Sequence, residues 1–307
     1  MTGRRVSPKV SHQVGVAALD WLTANREQFR ARGAGVSDFE VKERLKPVGE
    51  LVLISGVLLR EGVAGSRQAK QVSRLLDFVW QEVLDGGDLL FWMQREEPLS
   101  PIPMEVYVPF REMGRSHPGI ENHLRLVSRT GSWRALEAIP HRRLGLSRFS
   151  ARADLPVCAD VGDAARNTWL GQTPEPWTVD YNLAYAVTHT VFHLTDWGRH
   201  PDNLPDEVAE YLALWLPAWI DEWAAEGDWD LLGELLVVDA CLPEPALDED
   251  VWRRFAEAQT PEGAMPARGA MPTGAPHEVF DLVHHPTIVA AFAATMATSR
   301  ALAELST

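Results

Sequence analysis

The 307 residues are 46% hydrophobic and 23% charged, with a net charge of −14. That is an ordinary globular composition with enough apolar surface for a large core, and its acidity repels phosphate backbones, which argues against a nucleic-acid partner. Two cysteines, Cys158 and Cys241, give no disulfide framework and no CxxC motif; with no signal-like apolar run and no clean stretch of about 18 apolar residues, the expectation is a cytoplasmic protein outside the membrane.

In chain order, the sequence reads as helix after helix. Val14 to Phe29 carries Val16, Leu19 and Leu22 at helical spacing. Val48 to Leu59 is almost uncharged, with Glu50 its one ionisable side chain. Gln68 to Leu84 is amphipathic, with Val72, Leu75, Leu76, Val79 and Trp80 on one side. Met104 to Pro109 reads as a short strand, followed by short helices over Ile120 to Val127 and Trp133 to Ile139. The basic run from His141 to Arg152 reads most simply as a solvated loop, with Arg142, Arg143, Arg148 and Arg152 pairing with acidic neighbours.

Ala164 to Gln172 is helical, and a helix from Asp180 ends near Gly198. The next begins at Pro205 and Asp206, runs to about Ala225 and bends at Pro217. Asp228 or Asp230 caps a helix over Leu231 to Leu242, and Asp250 to Ala258 is short and amphipathic. Gln259 to His277, with GAMP twice, is dense in Pro and Gly and is expected to be a flexible loop or lid. A last helix is expected from Pro286 to Leu305, with Pro286 at its first position and His285 as its cap.

No strand-rich region and no fixed-period repeat is visible, so the fold class is all-α in a single domain over residues 1–307. Nearly uncharged helices (48–59, 180–195, 231–242, 287–298) alternate with one-sided ones, which points to two layers. An α/α barrel or toroid fits that alternation; a helical-hairpin solenoid or an irregular bundle are the alternatives.

The most informative helix is Asp180 to Trp197. Asn182, Tyr185, His189, His193 and Asp196 fall within roughly an 80° arc of it, and no Lys, Arg or Glu lies between Asp180 and Arg199. A face without lysine or glutamate looks inward, and buried polar groups need partners. His189 and His193 stand at i, i+4, the spacing at which two imidazoles share one metal. Asp196 lies about 10 Å along the axis from His189, too far for the same ion, and is read as an orienting carboxylate or a separate acid or base. Asp239 and His285 are the groups expected to complete the site, with His189, His193 and His285 as ligands and Asp196, Asp239 and Tyr185 as catalytic side chains. The competing structural reading is a pair of core histidines bonded to backbone or to Asp239. No Walker A, GxGxxG, GxSxG or paired CxxC motif is present.

The segments THTVFHLTDWG (Thr188 to Gly198) and VHHPTIVAAFA (Val283 to Ala293) resemble an uncharacterised helical family of actinobacteria associated with specialised-metabolite gene clusters. The resemblance, chiefly in the C-terminal half, implies a small-molecule biosynthetic or tailoring role. The leading expectation is a metal-dependent enzyme acting on a small or peptide-derived substrate, with iron or copper for oxidation or zinc for hydrolysis. A metal-free cyclase or lyase is the first alternative, with Asp196 or Asp239 as the acid and tryptophans lining the cavity. A scaffold binding a peptide or protein is the second.

Overall fold

A computed structural model describes residues 5–30, 38–62, 65–136 and 138–305, the side chains of 38–44 and 66 excepted. The described residues are mostly helical and form no strand, only two isolated bridges. The protein is all-α. The helices are α1 (Pro8–Ala24), α2 (Asp38–Glu61), α3 (Ser66–Phe78), α4 (Asp88–Glu96), α5 (Ile102–Glu112), α6 (Pro118–Val127), α7 (Gly131–Arg134), α8 (Pro140–Arg152), α9 (Val161–Arg166), α10 (Tyr181–Leu194), α11 (Asp206–Glu226), α12 (Trp229–Cys241), α13 (Glu249–Ala258) and α14 (Pro276–Leu305).

Their neighbours follow from how apolar each helix is. Helices α2, α5, α8, α10, α12 and α14 touch one another in a closed circuit, in the order α14–α2–α5–α8–α10–α12 and back to α14. Against this circuit lie α1 on α14, α3 on α2, α4 on α5, α9 on α8, and α11 and α13 on α12, with α6 outside them on α4. Helix α12 is buried along nearly its whole length, as a helix apolar on every side must be.

At one end of the circuit side-chain contacts join the N-terminal halves of its helices, while at the other Arg152 and Glu112 join the C-terminal ends of α8 and α5. Glu105, early in α5, pairs with Arg142, early in α8; Tyr185, in the second turn of α10, bonds Asp230 at the start of α12. One end of the circuit therefore gathers several helix N-termini, where polar side chains meet.

Three sequence expectations are corrected. Met104 to Pro109 lies in helix α5: Pro103 presets the first turn, and burial of Pro103, Met104 and Val106 through Phe110 explains their apolar character without a strand period. The basic run is helix α8, not a loop. Leu144, Leu146 and Phe149 anchor it, Arg142 pairs with Glu105 and Arg152 with Glu112, and Arg143 donates to the carbonyls of Leu136 and Cys158. Helix α14 begins at Pro276, so Pro286 is interior and His285 is not a cap. Packing against α1, α2 and α12 carries the helix through the missing N–H. This helix is also long and apolar enough to cross a membrane, but most of its apolar stretch is buried inside the fold.

The segment before it is a packed strap. Met265 is buried and its N–H donates to Thr287 Oγ1 at 2.9 Å. The carbonyl of Ala267 accepts from Trp229 N–H at 3.0 Å and Asp230 N–H at 3.1 Å. The strap thus caps the start of α12.

Candidate functional site

At the gathered helix ends, a polar cluster links α2, α10, α12 and α14. Asp180 caps α10 by accepting from Leu183 N–H at 2.8 Å. Tyr185, one turn on, has two roles. Its hydroxyl donates to Asp230 Oδ2 at 2.5 Å, and its carbonyl accepts from His189 Nδ1 at 2.8 Å. That second bond consumes the Nδ1 proton and leaves His189 Nε2 as the free acceptor.

Glu234, one turn beyond Asp230 on α12, stands behind the histidines. Its carboxylate takes a hydrogen bond from Thr188, lies 3.8 Å from His189 Nδ1 and lies 3.4 Å from His285 Nε2. His285 Nε2 is also 3.5 Å from Asp230 Oδ1, and its Nδ1 donates to Glu50 Oε2 at 3.0 Å. His141, at the start of α8, approaches His189 with ring centroids 6.0 Å apart. The side chain of His189 is 32% exposed and Glu234 only 3%, so substrate would meet the histidine and not the glutamate.

The charges within the cluster diverge. Burial opposes a charged His285, yet Glu50 and Asp230 together with the bonds to Glu234 and Glu50 raise its pKa well above the usual value. Burial alone would raise Glu50, but His285, with Lys46 and His284 nearby, holds it down to about 2. Glu234 is likewise lowered against its burial by His189, His285 and Thr188. Asp230 goes the other way: burial, with the Glu234 charge, raises it despite His285. Burial and then Asp230 push the Tyr185 hydroxyl up. Burial, then His189 and Arg142, bring His141 down to about 4.

The structure brings three of the predicted residues together, Tyr185, His189 and His285, and separates the rest. His193 is buried with both ring nitrogens unpartnered. It sits edge-on to Phe149 and Trp197, against Gly145 of α8, where a Cβ would lie 2.6 Å from its Nε2. Burial, followed by the neighbouring His189, pushes its pKa well below the usual value. Asp196 lies beyond the end of α10, in a left-handed run with Trp197 and Gly198 at φ of 50°, 57° and 77°. That turn carries it off the stripe to a groove with Arg60 and Arg199. Asp239 is buried, but its two oxygens accept from the N–H groups of Ala246 and Leu247, both at 2.8 Å, so it anchors the turn after α12. Among the described residues, no group of three or more His, Cys, Asp or Glu side chains is arranged to hold a metal ion. The tryptophans are dispersed, with Trp133 and Trp252 fully buried in the core and Trp92 and Trp177 exposed.

Glu50, His141, Asp230 and Glu234 are site residues that the sequence reading did not select. The signal for Glu50 was its solitude in the otherwise uncharged stretch 48–59, and Glu234 is similarly alone between Leu231 and Val238. A lone acid within an apolar run needs an internal partner. Asp230 reads equally well as a cap, and Asp228 fills that role by accepting from Leu231 N–H.

Fold and site together define an all-helical protein with a desolvated acid and histidine cluster at one end of its helical circuit. The chain belongs to the family described as a domain of unknown function, DUF6895, whose model matches residues 15–295. Comparison with curated proteins and with solved structures gives no match.

Proposed function

We propose that this protein is an enzyme of bacterial specialised metabolism that tailors a small or peptide-derived molecule by proton transfer, at one end of an α/α toroid. His189 is the general base and Asp230 the general acid. One observation carries the reading: Tyr185 holds both groups, fixing the imidazole through its carbonyl and the carboxyl through its hydroxyl. A carboxyl whose pKa burial raises, held on the same tyrosine as an imidazole whose Nδ1 is engaged, is a pair suited to opposite proton transfers. Glu234 supports the imidazolium that forms on His189, and His285 with Glu50 fixes the far side of Asp230. Two unpaired cysteines accord with a reducing cytoplasm.

The test is turnover of a panel of small metabolites and short peptides, read by mass spectrometry. The wild-type protein should consume a component that His189→Gln and Asp230→Asn leave intact, with both variants folded by circular dichroism. Consumption unchanged in both variants would overturn the assignment.

A metal-dependent reading, with iron, copper or zinc, rests on one observation: His189 and His285 flank the same carboxylate, Glu234. Elemental analysis of reconstituted protein decides it. Stoichiometric metal lost in His285→Ala but kept in His193→Ala would favour it.

A further inference from the structure

A separate cavity of about 320 Å³ lies between α8, α9, α10 and the start of α11. Its walls include Val161, Leu170, Leu194 and Val208, and its polar groups include Arg148. Arg148 is unlike the other arginines of its helix. Arg142 and Arg152 have carboxylate partners, and Arg143 donates to two carbonyls. Arg148 makes a single hydrogen bond, from Nη2 to the Leu194 carbonyl at 2.9 Å. Its Nε is shielded from solvent without an acceptor, and among the described residues no carboxylate pairs with it. Burial lowers its pKa, with Asp196 the one charge that opposes this.

A half-buried guanidinium without a counter-ion, opening on a largely apolar cavity, is completed by an anion. The volume, near the lower end of the ~300–1,000 Å³ range of ligand sites, calls for a small one. The apolar walls call for a hydrocarbon body. Arg166, the cavity's other cation, is engaged by Asp163, and the exposed carboxylate of Glu207 at the cavity edge disfavours a multiply charged anion such as phosphate.

We propose that this cavity binds a small aliphatic monocarboxylate, paired with Arg148 and packed against Val161, Leu170, Leu194 and Val208. The site is independent of the proton-transfer cluster. Free short-chain acids and apolar amino acids both offer this chemistry, and the experiment separates them.

The full-length protein would be titrated with isovalerate, leucine and inorganic phosphate, with binding followed by calorimetry and amide chemical shifts. Saturable binding of isovalerate or leucine is expected, and the tighter of the two identifies the source. Arg148→Met should weaken it at least ten-fold, and Leu170→Trp, which fills the cavity, should abolish it. Should Arg148→Met fail to fold, the Leu170→Trp result decides. No saturable binding of either carboxylate, phosphate binding as tight as theirs, or wild-type binding in folded Arg148→Met would overturn the proposal.

Discussion

The hydroxyl of Tyr185 donates to Asp230 Oδ2 at 2.5 Å, while the carbonyl of the same residue orients His189. Tyr185→Phe removes only the first of these bonds. The hydroxyl is one of the groups that restrain the upward shift of Asp230, so its loss raises that carboxyl further. The expected cost in stability is about 1–2 kcal/mol, the size of a hydrogen bond to a buried carboxyl. Turnover should fall by roughly 10- to 100-fold as the acid becomes weaker and less well placed. If Asp230 is the acid, the alkaline limb of the rate profile reports its proton loss and moves to higher pH in the variant. A limb that stays in place would detach Asp230 from that role.

The contact between His285 and Glu50 makes stability depend on pH on two sides. His285 is raised, so its contribution is complete below the ordinary histidine pKa and disappears as pH rises through its folded value. Glu50 is lowered to about 2, so its contribution is complete above the ordinary glutamate range and disappears as pH falls towards 2. Both act fully from roughly pH 5 to 6.5. Asp230 and Glu234 face the same ring and share in the alkaline loss. Glu50→Gln should cost about 2–4 kcal/mol near pH 6, somewhat below the loss for a fully buried pair because both side chains are partly exposed. Urea unfolding at successive pH values should show that difference shrinking towards pH 2. A difference constant across pH would mean that Glu50 acts by packing and not by charge.

Gly145 and His193 make opposed demands on one space. In an ordinary helix interior, Gly→Ala gains up to about 1 kcal/mol. At Gly145 the new Cβ would lie 2.6 Å from His193 Nε2, and the ring has Phe149 and Trp197 on its other sides. Overpacking of this kind costs about 1–3 kcal/mol. Gly145→Ala should therefore lower the melting temperature, and adding His193→Ala should recover part of the loss. Additive effects in the double-mutant cycle would show that the two positions do not compete.

The helical class was legible because burial leaves a plain mark: helices without charge are the ones surrounded by protein. The stripe on α10 was legible for the same reason, and its upper half, Tyr185 and His189, lies in the cluster. In its lower half, Asp196 leaves the stripe because the helix ends at Leu194 and three left-handed residues turn it away, while His193 stays in the helix but packs into the core against Gly145 of α8. The partners on α2 and α12 were not legible, since Glu50 and Glu234 meet His285 only through the circuit of helices, which no local pattern encodes. Helix α8 was missed because its arginines resemble a solvated run until their partners, Glu105, Glu112 and the carbonyls of other segments, are in place.

The strap tests whether a distant loop positions the acid. Gly263 has φ of 98°, and a Cβ there would collide with the Ala17 carbonyl of α1. Four residues later, Ala267 supplies the carbonyl that caps Trp229 and Asp230. Gly263→Ala must lift the strap from α1, and its expected cost is about 2–4 kcal/mol from strain and collision together. Gly269, at φ of 59°, faces open space, so Gly269→Ala carries only the conformational cost, about 1 kcal/mol. Hydrogen exchange separates the two effects. The Trp229 and Asp230 amides should lose more protection in Gly263→Ala than in Gly269→Ala, because lifting the strap takes away their acceptor. If both variants leave those amides equally protected, the start of α12 is held by its own helix and by Tyr185, and the strap serves α1 alone.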